Sequence, residues 1–189
     1  MKSRVGTSGY VDRSTSSPAL VGIIMGSDSD LPVMQEAAKI LDEFGVGYEI
    51  HVMSAHRTPE QVIEYVKKSE ASGCKVFICS AGMSAHLAGV VAAHTALPVI
   101  GVPMGKSAAG VDALFSTVQM PPGIPVATVA INGAKNAGIL AAQIIATGDS
   151  DILEKVRMFK ERMADDIEAK DAELQEKGFR KYLEEQGLV

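Results

Sequence analysis

Five short apolar runs, at 20–25, 48–53, 76–80, 98–102 and 126–131, alternate with segments whose apolar residues return every three or four positions. Most of these runs are continuously apolar instead of alternating in polarity. Strands of that kind need cover on both faces, which calls for a parallel sheet joined by helical crossovers. The expected class is therefore α/β: a three-layer α/β/α sandwich around a flavodoxin-like parallel five-stranded sheet. Right-handed crossovers leave few topologies, and the order 2-1-3-4-5 is the first expectation.

The intervening segments read as helices. Leu31, Met34, Ala38, Leu41 and Phe44 share one helical face, and Gly45 closes that helix. A second helix opens in Ser54-Ala55-His56-Arg57-Thr58-Pro59, with Thr58 as N-cap, Pro59 at the first helical position and Gln61 placed for a capping box, and it ends near Gly73. A small-residue helix runs to about Thr95, a short one spans 111–118, and another spans 134–146. In a parallel sheet all strands end on the same edge. The loops 26–30, 54–59, 81–86 and 104–110 must then converge there, where ligands of such sheets bind.

At 189 residues and 47% hydrophobic, the chain suits one domain, expected over 20–189. Residues 1–19 are rich in Ser, Thr and Gly and show no period, and are expected to form a disordered leader. Lys2, Arg4 and Arg13 against Asp12 leave a transit peptide, a vector-derived leader and a plain flexible arm as alternatives. From Asp151 the composition turns charged, with Ile152, Val156, Phe159, Met163 and Ile167 on one face of a long C-terminal helix. That extension, 151–189, can cover its own sheet or a second subunit, and a subunit contact is expected.

A net charge of −5 and 5% aromatics argue against nucleic acid, and no apolar run is long enough to span a membrane. Cys74 and Cys79 have neither a metal-ligand spacing nor the number for a disulfide framework, so a soluble protein of the reducing cytoplasm is expected.

Gly26-Ser27-Asp28-Ser29-Asp30 lacks the lysine of a triphosphate loop, and no dinucleotide fingerprint occurs. Its hydroxyls and N–H groups could hold one phosphate, with Asp30 accepting from sugar hydroxyls; capping by Ser29 or Asp30 is the competing reading. His56 and His86 fall on converging loops, whereas His51 is mid-strand and His94 lies late in a helix. A histidine can move protons either way near neutral pH. His56 and Arg57 also precede a helix start, where an anion is welcome, although a solvated turn would look the same. No metal-ligand cluster and no Gly-x-Ser-x-Gly elbow appear. Chemistry without metal, covalent nucleophile or nucleotide cofactor is the economical expectation.

Five ordered motifs, GSDSD at 26–30, SAHRTP at 54–59, AGMSAHLAG at 81–89, QMPPGIPVATVAI at 119–131 and NAGILAAQI at 136–144, resemble those of the carboxyaminoimidazole ribonucleotide mutase and aminoimidazole ribonucleotide carboxylase family of purine biosynthesis. The resemblance implies a flavodoxin-like subunit, a homo-octamer with sites near subunit contacts, a ribonucleotide and carbon dioxide as small-molecule partners, and no metal or organic cofactor. It places Ser27, Asp30 and Arg57 against the nucleotide, Arg57 at its phosphate. Ser54 and the loop residues Ala81, Gly82, Met83, Ser84, His86 and Leu87 would close around the imidazole, and His56 would be catalytic. In the mutase a carbamate loses carbon dioxide and the ring carbon recaptures it. Arg57 and His86 resemble the mutase branch, while Met83 and Ala88 replace a glycine and a proline of its usual loop. The carboxylase, which uses free carbon dioxide, is the alternative. The alternative from another class is a non-catalytic flavodoxin-like module binding a phosphorylated metabolite or flavin mononucleotide.

Overall fold

The computed structural model describes residues 18–188, so 1–17 of the expected leader lie outside the described residues. Five strands, β1 (Val21–Met25), β2 (Tyr48–Val52), β3 (Val76–Gly82), β4 (Val99–Met104) and β5 (Ala127–Thr128), form one sheet. Their order is β2-β1-β3-β4-β5 and every pairing is parallel. This is the flavodoxin-like arrangement.

The helices are α1 (Leu31–Phe44), α2 (Pro59–Ala71), α3 (Leu87–Ala92), α4 (Val111–Val118), α5 (Ala134–Ala146), α6 (Ser150–Lys177) and α7 (Phe179–Glu185). Successive strand residues point to opposite faces. Val21, Ile23 and Met25 of β1 accordingly face the core under α1, α5 and α6, while Ile24, with Phe77 and Cys79 of β3, joins the core under α2 and α3. Among the described residues no helix is long and apolar enough to cross a membrane.

One contact sets the spacing on the first face. α5 is rich in small residues, with Ala134, Ala137, Gly138, Ala141 and Ala142 buried. A Cβ on Gly138 would lie 2.8 Å from the Ala37 carbonyl oxygen, so α5 rides almost backbone to backbone on α1. The first half of α6 then packs outside them. Phe159 meets Phe44 edge-on at 5.5 Å, and Lys155 Nζ donates to the Phe44 carbonyl at 2.9 Å, where a cation suits the helix C-terminus.

The expected elements needed four adjustments. Leu31 is 46% exposed, and the buried stripe of α1 is Met34, Ala37, Ile40, Leu41 and Phe44. Val52 is 55% exposed because β2 is an edge strand. α3 stops at Ala92 instead of near Thr95. The fifth strand is two residues long.

Candidate functional site

β1 lies between β2 and β3, so the chain leaves β1 to one side for β2 and crosses to the other for β3. At that switch point the loops part and leave a crevice. The crevice here is a cavity of about 290 Å³, lined by residues of all four converging loops, among them Ser27, Asp30, Ser54, His56, Arg57, Ala81, Gly82, Met83, Ser84, His86, Leu87 and Lys106. All eleven residues singled out from the sequence are therefore together. A larger cleft of about 650 Å³ runs along β2 and α2 past Glu49, His51 and Tyr65, but none of those loops' side chains line it.

The loop 54–59 is closed by its own side chains. Thr58 Oγ1 accepts from Ser54 N at 3.0 Å and donates to Ser54 O at 3.2 Å, instead of capping α2 as its position suggested. Ser54 Oγ accepts from the backbone N–H groups of His56 and Arg57 at 3.3 and 3.2 Å. These bonds hold both side chains outward at the sheet edge. Arg57 donates through one guanidinium nitrogen to the Gly26 carbonyl at 2.5 Å, tying this loop to the first and placing its positive charge beside the 26–30 turn.

His56 Nε2 and His86 Nδ1 are 2.9 Å apart with their rings perpendicular, centroids 5.0 Å from one another. For that bond to form, one nitrogen carries the hydrogen and the other offers a lone pair. The pair therefore shares one proton at the cavity wall. His51 is elsewhere, its ring tilted against that of Tyr65 with centroids 4.5 Å apart, and His94 Nδ1 sits 2.8 Å from the Val90 carbonyl.

The first loop divides its residues differently from the sequence reading. Ser27 is the cap: its Oγ accepts from Ser29 N at 3.3 Å at the head of a single 3-10 turn. Asp30 makes no capping bond to α1 and is 1% exposed, with Oδ2 accepting from Ser80 Oγ at 3.3 Å. Its other oxygen pairs with Lys106, a residue that the motifs did not single out.

The 81–86 loop carries a strained residue. Met83 has φ 57°, a left-handed conformation costly for a side chain larger than glycine's, and is 63% exposed. Ser116 Oγ donates to its carbonyl at 3.3 Å and helps fix it. Leu87, at the loop's end, is 2% exposed and belongs to the core, so it floors the cavity with hydrocarbon. The cavity wall thus carries Arg57, Lys106 and the paired histidines, and its floor is apolar.

Known proteins resemble this chain over most of its length. The sequence model of the family described as AIR carboxylase matches residues 20–166. An N5-carboxyaminoimidazole ribonucleotide mutase of Thermotoga maritima is 57% identical over 164 residues, which is 86% of this chain and 96% of that protein. A phosphoribosylaminoimidazole carboxylase of Schizosaccharomyces pombe is 51% identical over 164 residues, 86% of this chain but 30% of the fungal protein. Among solved structures, PurE of Treponema denticola superposes with a TM-score of 0.74 at 37% identity, covering 82% of this chain and 98% of that one.

Proposed function

The chain belongs to the AIR carboxylase family, and from that premise we propose that it is an N5-carboxyaminoimidazole ribonucleotide mutase of purine biosynthesis. The observation that carries the site's part in this reading is the His56–His86 pair, joined at 2.9 Å on the wall of a cavity that Arg57 also lines. About 290 Å³ is at the small end for a ligand site and suits one mononucleotide rather than a dinucleotide.

In this reading Arg57 meets the phosphate, Ser27 and Asp30 the ribose side, and Ser54 with residues 81–87 encloses the imidazole. The carbamate C–N bond breaks, its electron pair returns to the exocyclic nitrogen, and His56 supplies the proton there. The ring carbon then attacks the released carbon dioxide to form the C–C bond, and His56 removes the proton from that carbon. Proton and carboxylate have each moved once, so the reaction is an isomerisation needing no outside reagent. His86, bonded to His56, sets which nitrogen of the catalytic ring carries hydrogen. Enclosure over Leu87 keeps the gas beside the ring, where its effective concentration is high.

The same reading treats 20–189 as one catalytic domain of a cytoplasmic homo-octamer. Val111, Phe115 and Val118 of α4 are 43%, 57% and 46% exposed and share a face beside Met83, an apolar surface that a neighbouring subunit would cover. Of the apolar residues of α3, Leu87, Ala88 and Val91 are buried within the subunit, while Val90 and Ala92 are half-buried. The carboxylase is the second reading, favoured by the fungal relative; the chain spans 30% of that protein and 96% of the Thermotoga mutase, which weighs for the mutase. A flavin module is disfavoured by a cavity whose rings are those of His56 and His86.

Labelled bicarbonate tests the assignment. A mutase converts the carbamate with little label entering product. Rapid labelled product from aminoimidazole ribonucleotide and bicarbonate, with the carbamate inert, makes the enzyme a carboxylase.

A further inference from the structure

Lys106 crosses the cavity. Its stem lies over Gly82, where an added Cβ would come within 3.2 Å of its Cδ, and its ammonium reaches the first loop. There it donates to Ser29 Oγ at 2.5 Å and pairs with Asp30 Oδ1. Asp30 is 1% exposed, and Lys106 is the cation paired with it among the described residues. An ionised carboxylate buried without a cation is strongly disfavoured, whereas the same pair on an open surface would matter little.

The loop bearing Lys106 is held in an unusual shape. Ala108 and Ala109 have φ of 41° and 55°, and Gly110 of 83°. A Cβ on Gly110 would meet Gly105 Cα at 2.9 Å, and Gly105 N donates to Asn132 Oδ1 at 2.9 Å. Left-handed alanines persist only where surrounding contacts impose them. Here those contacts direct Lys106 over Gly82 toward Asp30.

We propose that Lys106 is a positioning residue for the nucleoside half of the substrate. It holds Asp30 in its orientation and fixes Ser29 in the adjoining turn, so that the carboxylate is presented to sugar hydroxyls. Arg57, bonded instead to Gly26, serves the phosphate separately. The inference rests on the ribonucleotide reading of the cavity.

Calorimetric binding of aminoimidazole ribonucleotide and of its dephosphorylated nucleoside to the full-length protein separates the possibilities, alongside steady-state kinetics. Lys106→Met should weaken nucleotide and nucleoside alike, by about tenfold, the scale of one charge-assisted hydrogen bond. KM should rise in step while kcat stays within about twofold, and Lys106→Arg should recover most of the loss. Loss confined to the nucleotide would make Lys106 a phosphate ligand and overturn the proposal. Unchanged binding, a fall in kcat at constant KM, or no rescue by arginine would also overturn it. If Lys106→Met melts early, Lys106→Gln is read in the same way. Wild-type protein that binds no ribonucleotide sinks the functional reading itself; wild-type binding with an indifferent Lys106→Met sinks only this inference.

Discussion

Gly138→Ala is the sharpest probe of how the sheet's first face is packed. The new methyl would stand 2.3 Å from Ile40 Cγ2, 2.8 Å from the Ala37 oxygen and 3.1 Å from Ala37 Cα. The Ile40 side chain is 2% exposed and has little room to turn, and the other two atoms are backbone of α1. Relief therefore requires α5 and α1 to separate. Overpacking of this kind costs about 1–3 kcal/mol, and alanine returns about 1 kcal/mol through its better helix propensity. The net loss is up to about 2 kcal/mol, and contacts under 3 Å with the α1 backbone place it toward that upper end, which should lower the melting temperature by about 4–8 °C for a domain of this size. Gly148→Ala is the control, since a Cβ there meets nothing within 4 Å. Scanning calorimetry at equal protein concentrations reads both variants. A Gly138→Ala protein melting at or above wild type would refute the close α1–α5 contact.

His56→Asn should retain ribonucleotide binding but lose at least about a hundredfold in turnover, the usual scale for an acid–base group; more than a tenth of wild-type activity would remove His56 from that role. Burial pushes the thiols of Cys74 and Cys79 up from their ordinary range, so a thiol reagent at neutral pH should label neither until denaturant is added, and fast labelling of the native protein would contradict their placement. Phe115→Glu should shift the light-scattering mass toward the 19.9 kDa of one chain if the α4 face joins subunits; an unchanged, larger mass would locate the contact elsewhere.

Strand and helix order was legible because each apolar run is long enough to need two covered faces. The departures come from local chemistry that periodicity does not carry. The fifth run, 126–131, looks like a full strand, but its neighbour β4 contains Pro103, which has no N–H to donate. Ladder pairing is limited to Ala127 and Thr128; Val129 N still donates to the Gly101 carbonyl at 3.0 Å, and the chain then turns so that Asn132, with φ 58°, donates to the Pro103 carbonyl at 2.9 Å. α3 stops early where Thr95 Oγ1 is engaged, donating to Glu70 at 2.9 Å and accepting from Leu97 N at 3.1 Å. Such side-chain bonds compete with a helix ladder. Thr58 shows the same competition, taking Ser54 as partner where the sequence pattern offers it a helix end.

The site was legible through its loops and not through every side chain. SAHRTP and AGMSAH announce themselves by histidine at the end of an apolar run. Lys106 carries no such signal, because its reach depends on two left-handed alanines that no propensity scale would place there. The meeting of His56 and His86 is likewise a property of the sheet. Met25 of β1 is in register with Val52 on one side and Ser80 on the other, so the two following loops start level and flank the same strand end. Residues 30 positions apart in sequence are thereby brought within one hydrogen bond. A bond between two imidazoles fails when both are cationic, since neither then has an acceptor nitrogen, and like charges repel. The pair thus holds together only while at least one ring keeps an acceptor nitrogen. In the proposed mechanism, which first gives a proton to nitrogen and later takes one from carbon, such a pair would serve as the carrier.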